Sequence, residues 1–333
     1  MSPELLLAAW IVAALVVYSL SGGADYGGGV WDLLARGPRA AKQRELIEHA
    51  IAPVWETNHV WLIAAVVALF SGFPKAFSLV STALHLPLTL LLLGIVARGT
   101  SFVFRSYDAK TDSVQRRWGL VFSVSSTVTP LLLGVIVGSI GSGEIKLENG
   151  VVTSGFVRPW LTNPFVWSVG VFALALFAYL AAVYLANEAT DPPLQDDFRR
   201  RAMGSFGVVS VLAIVTASLS APYAPHLFHG LWSGQFSTPV FVGTAAASAL
   251  ALYALVRRRF RVARIAAMVQ VALIVIGWAV AQAPFLVVGA LEVQAAAAPP
   301  QVLWVLLTVL AVGVLPLSLL LYQFFRIFKG APR

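Results

Sequence analysis

Two acidic residues in the first apolar stretch of the chain are the first candidates for chemistry. Asp25 and Asp32 lie in the glycine-rich run GGADYGGGVWD of residues 22–32. An acid at the centre of a membrane-spanning helix costs about 2.5–3.5 kcal/mol on insertion scales, so such residues predict function. Asp25 is interpreted as a proton-accessible acid at a close helix contact, which dense glycines permit. The alternative is an interfacial acid that caps the cytoplasmic helix end, and for Asp32 this alternative is favoured.

A second polar group interrupts the next apolar stretch, in the run IAPVWETNHVWLI of residues 51–63. Glu56 and His59 are three residues apart, so they lie on one helix face and could share a proton. Burial shifts the titration of both groups, which suits a proton relay. A hydrogen-bonded pair that orients the helix and a metal site remain alternatives, although no third ligand lies nearby. Structural candidates in the same run are Trp55, Asn58 and Trp61.

Two arginines follow the third apolar stretch. Arg98 and Arg105 lie in the run ARGTSFVFR of residues 97–105. An arginine at a cytoplasmic helix end usually anchors the helix to the membrane surface. The alternative is an ion pair with an acid of this chain or of another chain.

The composition is that of a membrane protein. Hydrophobic residues make up 59% of the 333 residues and charged residues 11%, and the mean hydropathy is +0.82. Soluble domains carry roughly 25% charged residues, so this chain has too little polar surface for a water-soluble particle. It has no cysteine and only three methionines, which excludes thiolate metal sites and leaves few ligands for haem. We expect no metal in this chain.

Nine stretches are long and apolar enough to span a membrane, since a spanning helix needs about 20 mostly apolar residues. The predicted fold is therefore an all-α integral membrane protein. The predicted spans are residues 5–34, 51–71, 77–97, 118–140, 164–186, 203–221, 239–256, 265–288 and 302–325.

The basic residues predict the orientation of these spans. With the N-terminus outside, all but three of the 23 Lys and Arg residues fall on the inner side, the exceptions being Lys75, Lys146 and Arg158. Positive charge stays on the cytoplasmic side during insertion, which places the C-terminus in the cytoplasm. The +8 net charge is then an insertion signal, and no nucleic-acid partner is expected. All connections are short, so residues 1–333 are predicted to form a single polytopic membrane domain without a soluble domain.

The two runs resemble subunit II of the cytochrome bd-type quinol oxidases. Residues 23–31 are similar to the first-helix motif of that family, and residues 51–63 are similar to its second-helix motif, in the same order and at the same distance. Shorter matches extend the resemblance over about 300 residues, namely Arg98-Gly99 with Phe104-Arg105, residues 130–138, Asn163-Pro164-Phe165, Ala283-Pro284-Phe285 and residues 296–300.

The resemblance implies an oxidase of the aerobic respiratory chain, in the bacterial inner membrane, that oxidises quinol and reduces dioxygen to water without pumping protons. It implies a heterodimer in which subunit I carries two b-type haems and one d-type haem. Subunit II then binds no haem and has nine helices, arranged as two four-helix bundles and a peripheral helix. Further partners are lipid, quinone and a small single-helix subunit, and a structural quinone is an additional candidate cofactor.

The resemblance also assigns roles to residues. It implies that subunit II stabilises subunit I and helps form proton and oxygen routes to the haems. Asp25 and Glu56 match the acids of the two motifs, and His59 joins them as a proton-pathway candidate. Arg98 matches the arginine after the third helix. The alternative function is a stand-alone proton-coupled transporter, for which helix interruptions in corresponding halves are typical.

Overall fold

The structure is a computed structural model that describes residues 2–51, 55–107 and 112–329. Within these ranges it leaves out the side chains of residues 51, 55–57, 105–107, 112, 113, 115, 116, 324, 325 and 327–329. The predicted site residues Trp55, Glu56 and Arg105 have a described helical backbone, but their side chains lie outside the described part of the chain.

Helices dominate the described chain. The first half contains α1 (Pro3–Leu33), α2 (Ala40–Ile51), α3 (Trp55–Gly72), α4 (Pro74–Ala83), α5 (His85–Tyr107), α6 (Asp112–Gly141), β1 (Lys146–Glu148), β2 (Val151–Ser154) and α7 (Arg158–Thr162). The second half contains α8 (Pro164–Glu188), α9 (Pro192–Tyr223), α10 (Pro225–Ser233), α11 (Ser237–Val256), α12 (Phe260–Gln282), β3 (Phe285–Val287), β4 (Leu291–Glu292), α13 (Val293–Ala296) and α14 (Pro300–Lys329). The strands form two antiparallel pairs, β1 with β2 and β3 with β4.

Eight of the described helices are long and apolar enough to cross a membrane, and a bent pair gives a ninth if it counts as one span. The bend lies between α3 and α4, whose axes differ by 114°. Pro74 begins α4, where its missing N–H and fixed φ fit the first turn of a new helix.

The predicted span at residues 77–97 is wrong in its bounds. The apolar run crosses two helices, because α4 ends at Ala83 and α5 begins at His85 and continues to Tyr107. Pro87 explains the break, since it has no N–H to donate to the carbonyl of Ala83 and its ring would clash there. Arg98 therefore lies inside α5 and not after the end of a helix.

The predicted span at residues 265–288 extends too far. Helix α12 ends at Gln282, and residues 285–287 form β3, which pairs with β4. Pro284 disfavours a helical conformation at the preceding residue, and Ala283 has ψ 144°. The all-α prediction is correct only for the long elements, because the connections contain these two small strand pairs.

Helix α1 lies at the centre of the packing. It contacts α3 and α6 of the first half and α8 of the second, while α8 packs on α9 and α11 on α12. Gly27 makes the α1–α8 contact possible, because a Cβ there would overlap the backbone carbonyl of Phe177. Helix α14 contacts α1 and α3 but leaves most of its apolar surface exposed. One hydrophobic core cluster joins the two halves, extending from Trp31 of α1 through residues of α8 to Val271 of α12.

Candidate functional site

A buried ion pair joins α1 to α5. Asp25 is 0% exposed and Arg98 1% exposed, and the Arg98 guanidinium donates from Nη2 to the Asp25 carboxylate. The second carboxylate oxygen accepts a hydrogen bond of 2.5 Å from Nδ2 of Asn58 in α3. One acid of the first motif thus connects three helices, and both of its oxygens are occupied by donors of this chain.

Aromatic rings and a hydroxyl complete the surroundings of Arg98. Its Nε donates to Oγ of Ser126 at 3.0 Å, and its guanidinium carbon lies 4.9 Å from the ring centre of Tyr26 and 5.2 Å from that of Phe122. Cation–π contacts of this kind are worth about 2 kcal/mol when they are desolvated. The arginine is therefore fixed by α1 and α6 as well as by the carboxylate.

Polar side chains beside Asp25 retain hydrogen-bonding capacity that no described residue uses. Asn58 is fully buried, and its Oδ1 has no hydrogen-bond partner within the described part of the chain. The His59 ring meets Tyr26 edge-on with 6.4 Å between ring centres, and the hydroxyl of Tyr18 donates to that of Tyr26 at 3.4 Å. The site thus combines a charged pair with a free acceptor and a ring that can titrate.

Glu56 and His59 do not form a demonstrable pair, because the Glu56 side chain is not described. The structure brings Asn58, which precedes His59, onto Asp25. Trp61 is partly buried against the cluster formed by Tyr18, Tyr26 and Phe177. Sequence reasoning grouped Asn58 with the structural candidates, and its amide orients the carboxylate of Asp25.

Asp32 is buried, with 4% of its surface exposed, so it does not extend into water. Its Oδ2 accepts from Oγ of Ser123 at 2.8 Å, and Arg44 Nε lies 4.0 Å from its Oδ1. It contacts α6 and the α2 helix, seven residues from Asp25 on α1. Asp25, Asn58, Arg98 and Asp32 are thus placed along one interior stripe of the first half, with Asp32 at its α2 end.

Trp31 is a contact residue that the sequence did not indicate. Its Nε1 donates to the carbonyl of Ala178 at 2.7 Å, and Arg201 of α9 lies with its guanidinium carbon 5.2 Å from the Trp31 ring centre. Residues 31 and 201 are far apart in sequence and neither has a local pattern that predicts the other. The contact ties the end of α1 to both α8 and α9.

The buried carboxylate and the half-buried imidazole can bind or release protons, and the buried guanidinium can stabilise charge, in a low-dielectric interior. Within the described ranges, no three His, Cys, Asp or Glu side chains are arranged to hold a metal ion. A carboxylate that is paired with arginine and hydrogen-bonded to an amide can exchange a proton only when one of those contacts rearranges. The unpartnered Asn58 Oδ1 marks the side on which a water molecule could approach.

A separate cavity lies in the second half, between α8, α9, α10, α11 and α12. Its volume is about 270 Å³ and its walls are mainly apolar. Two buried acceptor or donor atoms on its lining residues, Oγ1 of Thr216 and Oε1 of Gln270, have no hydrogen-bond partner in the described chain. An apolar molecule with a hydrogen-bonding group fits such a cavity.

The comparisons with known proteins agree with one another. A family model described as cytochrome bd terminal oxidase subunit II matches residues 3–328. The cytochrome bd ubiquinol oxidase subunit 2 of Bacillus subtilis (strain 168) is 27% identical over 203 residues, which are 60% of this chain and 57% of that protein. The cytochrome bd-I ubiquinol oxidase subunit 2 of Escherichia coli (strain K12) is 27% identical over 182 residues, which are 53% of this chain and 47% of that protein. The matched regions therefore span about half the length of these curated relatives.

A solved structure extends the likeness over the whole chain. The bd oxidase structure from Geobacillus thermodenitrificans contains a chain that superposes with a TM-score of 0.82 at 20% sequence identity, covering 100% of both chains. At this level of identity the likeness concerns the fold.

Proposed function

The chain belongs to the cytochrome bd terminal oxidase subunit II family, and from this premise we propose that it is the non-haem subunit of a quinol oxidase that reduces dioxygen to water. The observation that carries the proposal is the family match over residues 3–328, which leaves almost no part of the chain for another function. The protein is a multi-pass protein of the bacterial inner membrane.

The proposed topology has nine spans with the N-terminus outside and the C-terminus in the cytoplasm. The bent pair α3–α4 counts as the second span in this topology. The helices of each half then form a four-helix bundle, and α14 is the peripheral helix. The distribution of Lys and Arg supports the orientation, and the exposed apolar surface of α14 supports its peripheral position. Residues 1–333 form one membrane domain.

The redox chemistry belongs to the partner in this proposal. Subunit I carries two b-type haems and one d-type haem and oxidises the quinol, while the present chain stabilises it and binds no haem or metal. Two of the histidines make contacts within the chain: His59 packs against Tyr26, and His85 contacts the backbone carbonyl of Thr82. A small single-helix subunit and membrane lipid complete the proposed complex.

The role proposed for the buried cluster is proton delivery from the cytoplasm. Asp32 lies toward α2, which the basic residues place on the cytoplasmic side, and Asp25 lies seven residues deeper along α1. Glu56 and His59 on α3 continue the proposed route beside Asn58, which is bonded to Asp25. What supports the route is this interior alignment of titratable and amide groups, since polar groups at this depth mark proton relays.

Neutral substitutions test the proton route. In D25N and E56Q, turnover per haem with saturating quinol is expected to fall on the order of 100-fold, as for loss of a positioned proton-transfer group, while the quinol KM stays unchanged. E56Q is expected to keep its haem content, whereas D25N also leaves Arg98 without its buried partner and is expected to lower the yield of intact complex. Oxygen consumption and haem absorbance measured on the same preparation separate the two effects. D196N is the matched control, because Asp196 pairs with Arg258 at 3.0 Å on the proposed cytoplasmic surface. Unchanged turnover in both D25N and E56Q would remove the proposed role.

A structural quinone bound by this subunit is assigned to the apolar cavity of the second half. Gln270 Oε1 and Thr216 Oγ1 lack partners within the described residues, so the Thr216 hydroxyl can donate to a quinone carbonyl and Gln270 Oε1 can accept from a hydroxyl of the quinol form. The variant Q270L is expected to lower the total quinone and quinol extracted per complex by up to about 10-fold, since one buried hydrogen bond is worth up to roughly 1.4 kcal/mol. Q301L, at an exposed position of α14, is the control. Equal quinone content in both variants would contradict the assignment.

The oxidase and the transporter alternative differ in what accompanies the chain on purification. A tagged chain isolated from its native membrane in mild detergent is expected to carry a haem-bearing partner, visible as b- and d-type bands in the reduced-minus-oxidised spectrum. A colourless, monodisperse preparation without a partner would contradict the oxidase proposal, and proton-coupled transport would then be assayed in vesicles.

A further inference from the structure

A basic pocket lies where the end of α1 meets α2 and α9. It has a volume of about 230 Å³ and is lined by Arg36, Pro38, Arg39, Gln43, Asp197, Arg200 and Arg201. We propose that it binds a phosphate group, supplied by the headgroup of an anionic phospholipid of the cytoplasmic leaflet. This site is distinct from the Asp25 cluster and does not depend on the proposed oxidase activity.

The charges in the pocket do not balance. Asp197 is the single acid among the lining residues, and its two oxygens are already used by Arg39, at 2.6 and 2.8 Å, and by Gln43, at 2.9 Å. Asp197 is hydrogen-bonded to Arg39 and also lies within electrostatic reach of Arg201. Four guanidinium groups line the pocket with this one carboxylate, so an excess of three positive charges remains, which is more than enough to neutralise a phosphate monoester or diester.

Arg201 supplies the most specific feature. Its Nη2 donates to Oε1 of Gln43 at 2.7 Å, and its guanidinium carbon lies 5.2 and 5.1 Å from the rings of Trp31 and Phe198. These contacts fix the plane of the group, yet its buried Nη1 has no hydrogen-bond partner among the described residues. A donor that is held in place and left unpaired is costly unless a ligand accepts from it.

Arg36 and Arg200 provide the flexible part of the pocket. Both are exposed, and neither makes a hydrogen bond or ion pair within the part of the chain that the structure describes. Gly37, with a φ of +81°, turns the chain between α1 and α2 so that Arg36 and Arg39 reach the same pocket. The planar fork of each guanidinium matches two phosphate oxygens at once.

The position and size of the pocket favour a lipid headgroup. It lies at helix ends on the side that holds most of the basic residues, and basic pockets between helices on that side recognise anionic headgroups. Its volume is smaller than the roughly 300–1,000 Å³ of pockets that enclose whole drug-sized ligands. It therefore has room for a phosphate with its glycerol, while the acyl chains lie along the exposed apolar helix faces.

The test compares phosphatidylglycerol with phosphatidylcholine of the same chain length, added to the delipidated full complex and counted by native mass spectrometry. Phosphatidylglycerol is expected to bind preferentially, and R36Q/R200Q is expected to bind it about 30-fold more weakly, since each surface arginine contributes about a factor of 5 toward an anionic leaflet. The matched control is R259Q/R261Q, which removes two exposed arginines from the same membrane side. Both pairs are exposed, so the variants are expected to fold.

Two further comparisons distinguish a lipid phosphate from free inorganic phosphate and from an acidic segment of a protein partner. Inorganic phosphate at millimolar concentration is expected not to displace the lipid; full displacement would assign the pocket to free phosphate and overturn the lipid proposal. Equal phosphatidylglycerol binding in R36Q/R200Q and in R259Q/R261Q would overturn it as well. If R36Q/R200Q lost the partner subunit while its lipid occupancy was unchanged, the pocket would be a contact with an acidic segment of that partner.

Discussion

Replacing Arg98 with methionine is expected to destabilise the protein by roughly 3–5 kcal/mol, because removal of one member of a buried ion pair leaves the other without compensation. The Asp25 carboxylate would retain only the hydrogen bond from Asn58, and Ser126 would lose its contact with Nε. The melting temperature of the detergent-purified complex and the yield of the haem-bearing partner measure the effect. R261M, at an exposed position of α12, is the control.

A double substitution distinguishes two causes of the lost stability, the uncompensated charge of Asp25 and the lost packing of the Arg98 side chain. Replacing both partners by apolar groups of similar shape is often neutral, even where single removal is severe. D25L/R98M is therefore expected to recover much of the stability that R98M loses, and the double-mutant cycle gives the coupling of the pair. Two results would show that the pair does not hold α1 to α5. One is an equal melting temperature for R98M and R261M, and the other is a loss of stability in the double variant that exceeds the sum of the losses in its two single variants.

The second large effect is expected for Gly27→Ala, at the contact between the two halves. The added Cβ would overlap the backbone carbonyl of Phe177 and crowd the Cβ of Ala181, and a backbone atom cannot turn aside as a flexible side chain can. Helices α1 and α8 must therefore move apart. We expect the loss of stability to lie at the upper end of the roughly 1–3 kcal/mol that is typical of overpacking. The separation also stretches the hydrogen bond from Trp31 Nε1 to Ala178, which is 2.7 Å long.

Thermal unfolding in detergent and tryptophan fluorescence report this change together. Gly204→Ala is the matched control, since Gly204 is an exposed helical glycine of α9 with open space where its Cβ would be. The control is expected to be neutral or slightly stabilising, because alanine is the better helix former. Equal melting temperatures for the two variants would mean that α1 and α8 can adjust at no cost.

The family, the membrane location and the two polar motifs could be predicted from the sequence, and the comparisons confirm the family. The existence of the long helices was predictable because an apolar run of about 20 residues matches the thickness of a bilayer. The first and last residues of these helices could not be predicted in the same way. The run across residues 77–97 is continuous in hydropathy, and the break at Leu84 depends on a single missing donor at Pro87. For the same reason, hydropathy predicts Arg98 at a helix end, where arginines are common, whereas it lies in the interior of α5.

The site was predictable as a set of residues but not as a set of contacts. Asp25 and Asn58 stand out because polar groups are expensive in an apolar segment, yet spacing within α3 favoured a pair between Glu56 and His59. The hydrogen bond from Asn58 to Asp25 depends on how α3 rotates against α1. The contact of Arg201 with Trp31 depends on the packing of α9 on α8 and α1, which no local pattern encodes. The proton-pathway role of these residues stays a prediction.

The ion pair between α1 and α5 also constrains the order of events during synthesis. Asp25 and Arg98 are separated by 73 residues, so at roughly 5–20 residues per second the acid is synthesised about 4–15 s before its partner. Asn58 arrives earlier, 33 residues after Asp25. Until α5 is made, the amide of Asn58 is the one member of this group that can bond to the carboxylate of Asp25. The contact between α1 and α5 can therefore form only after α5 has been translated.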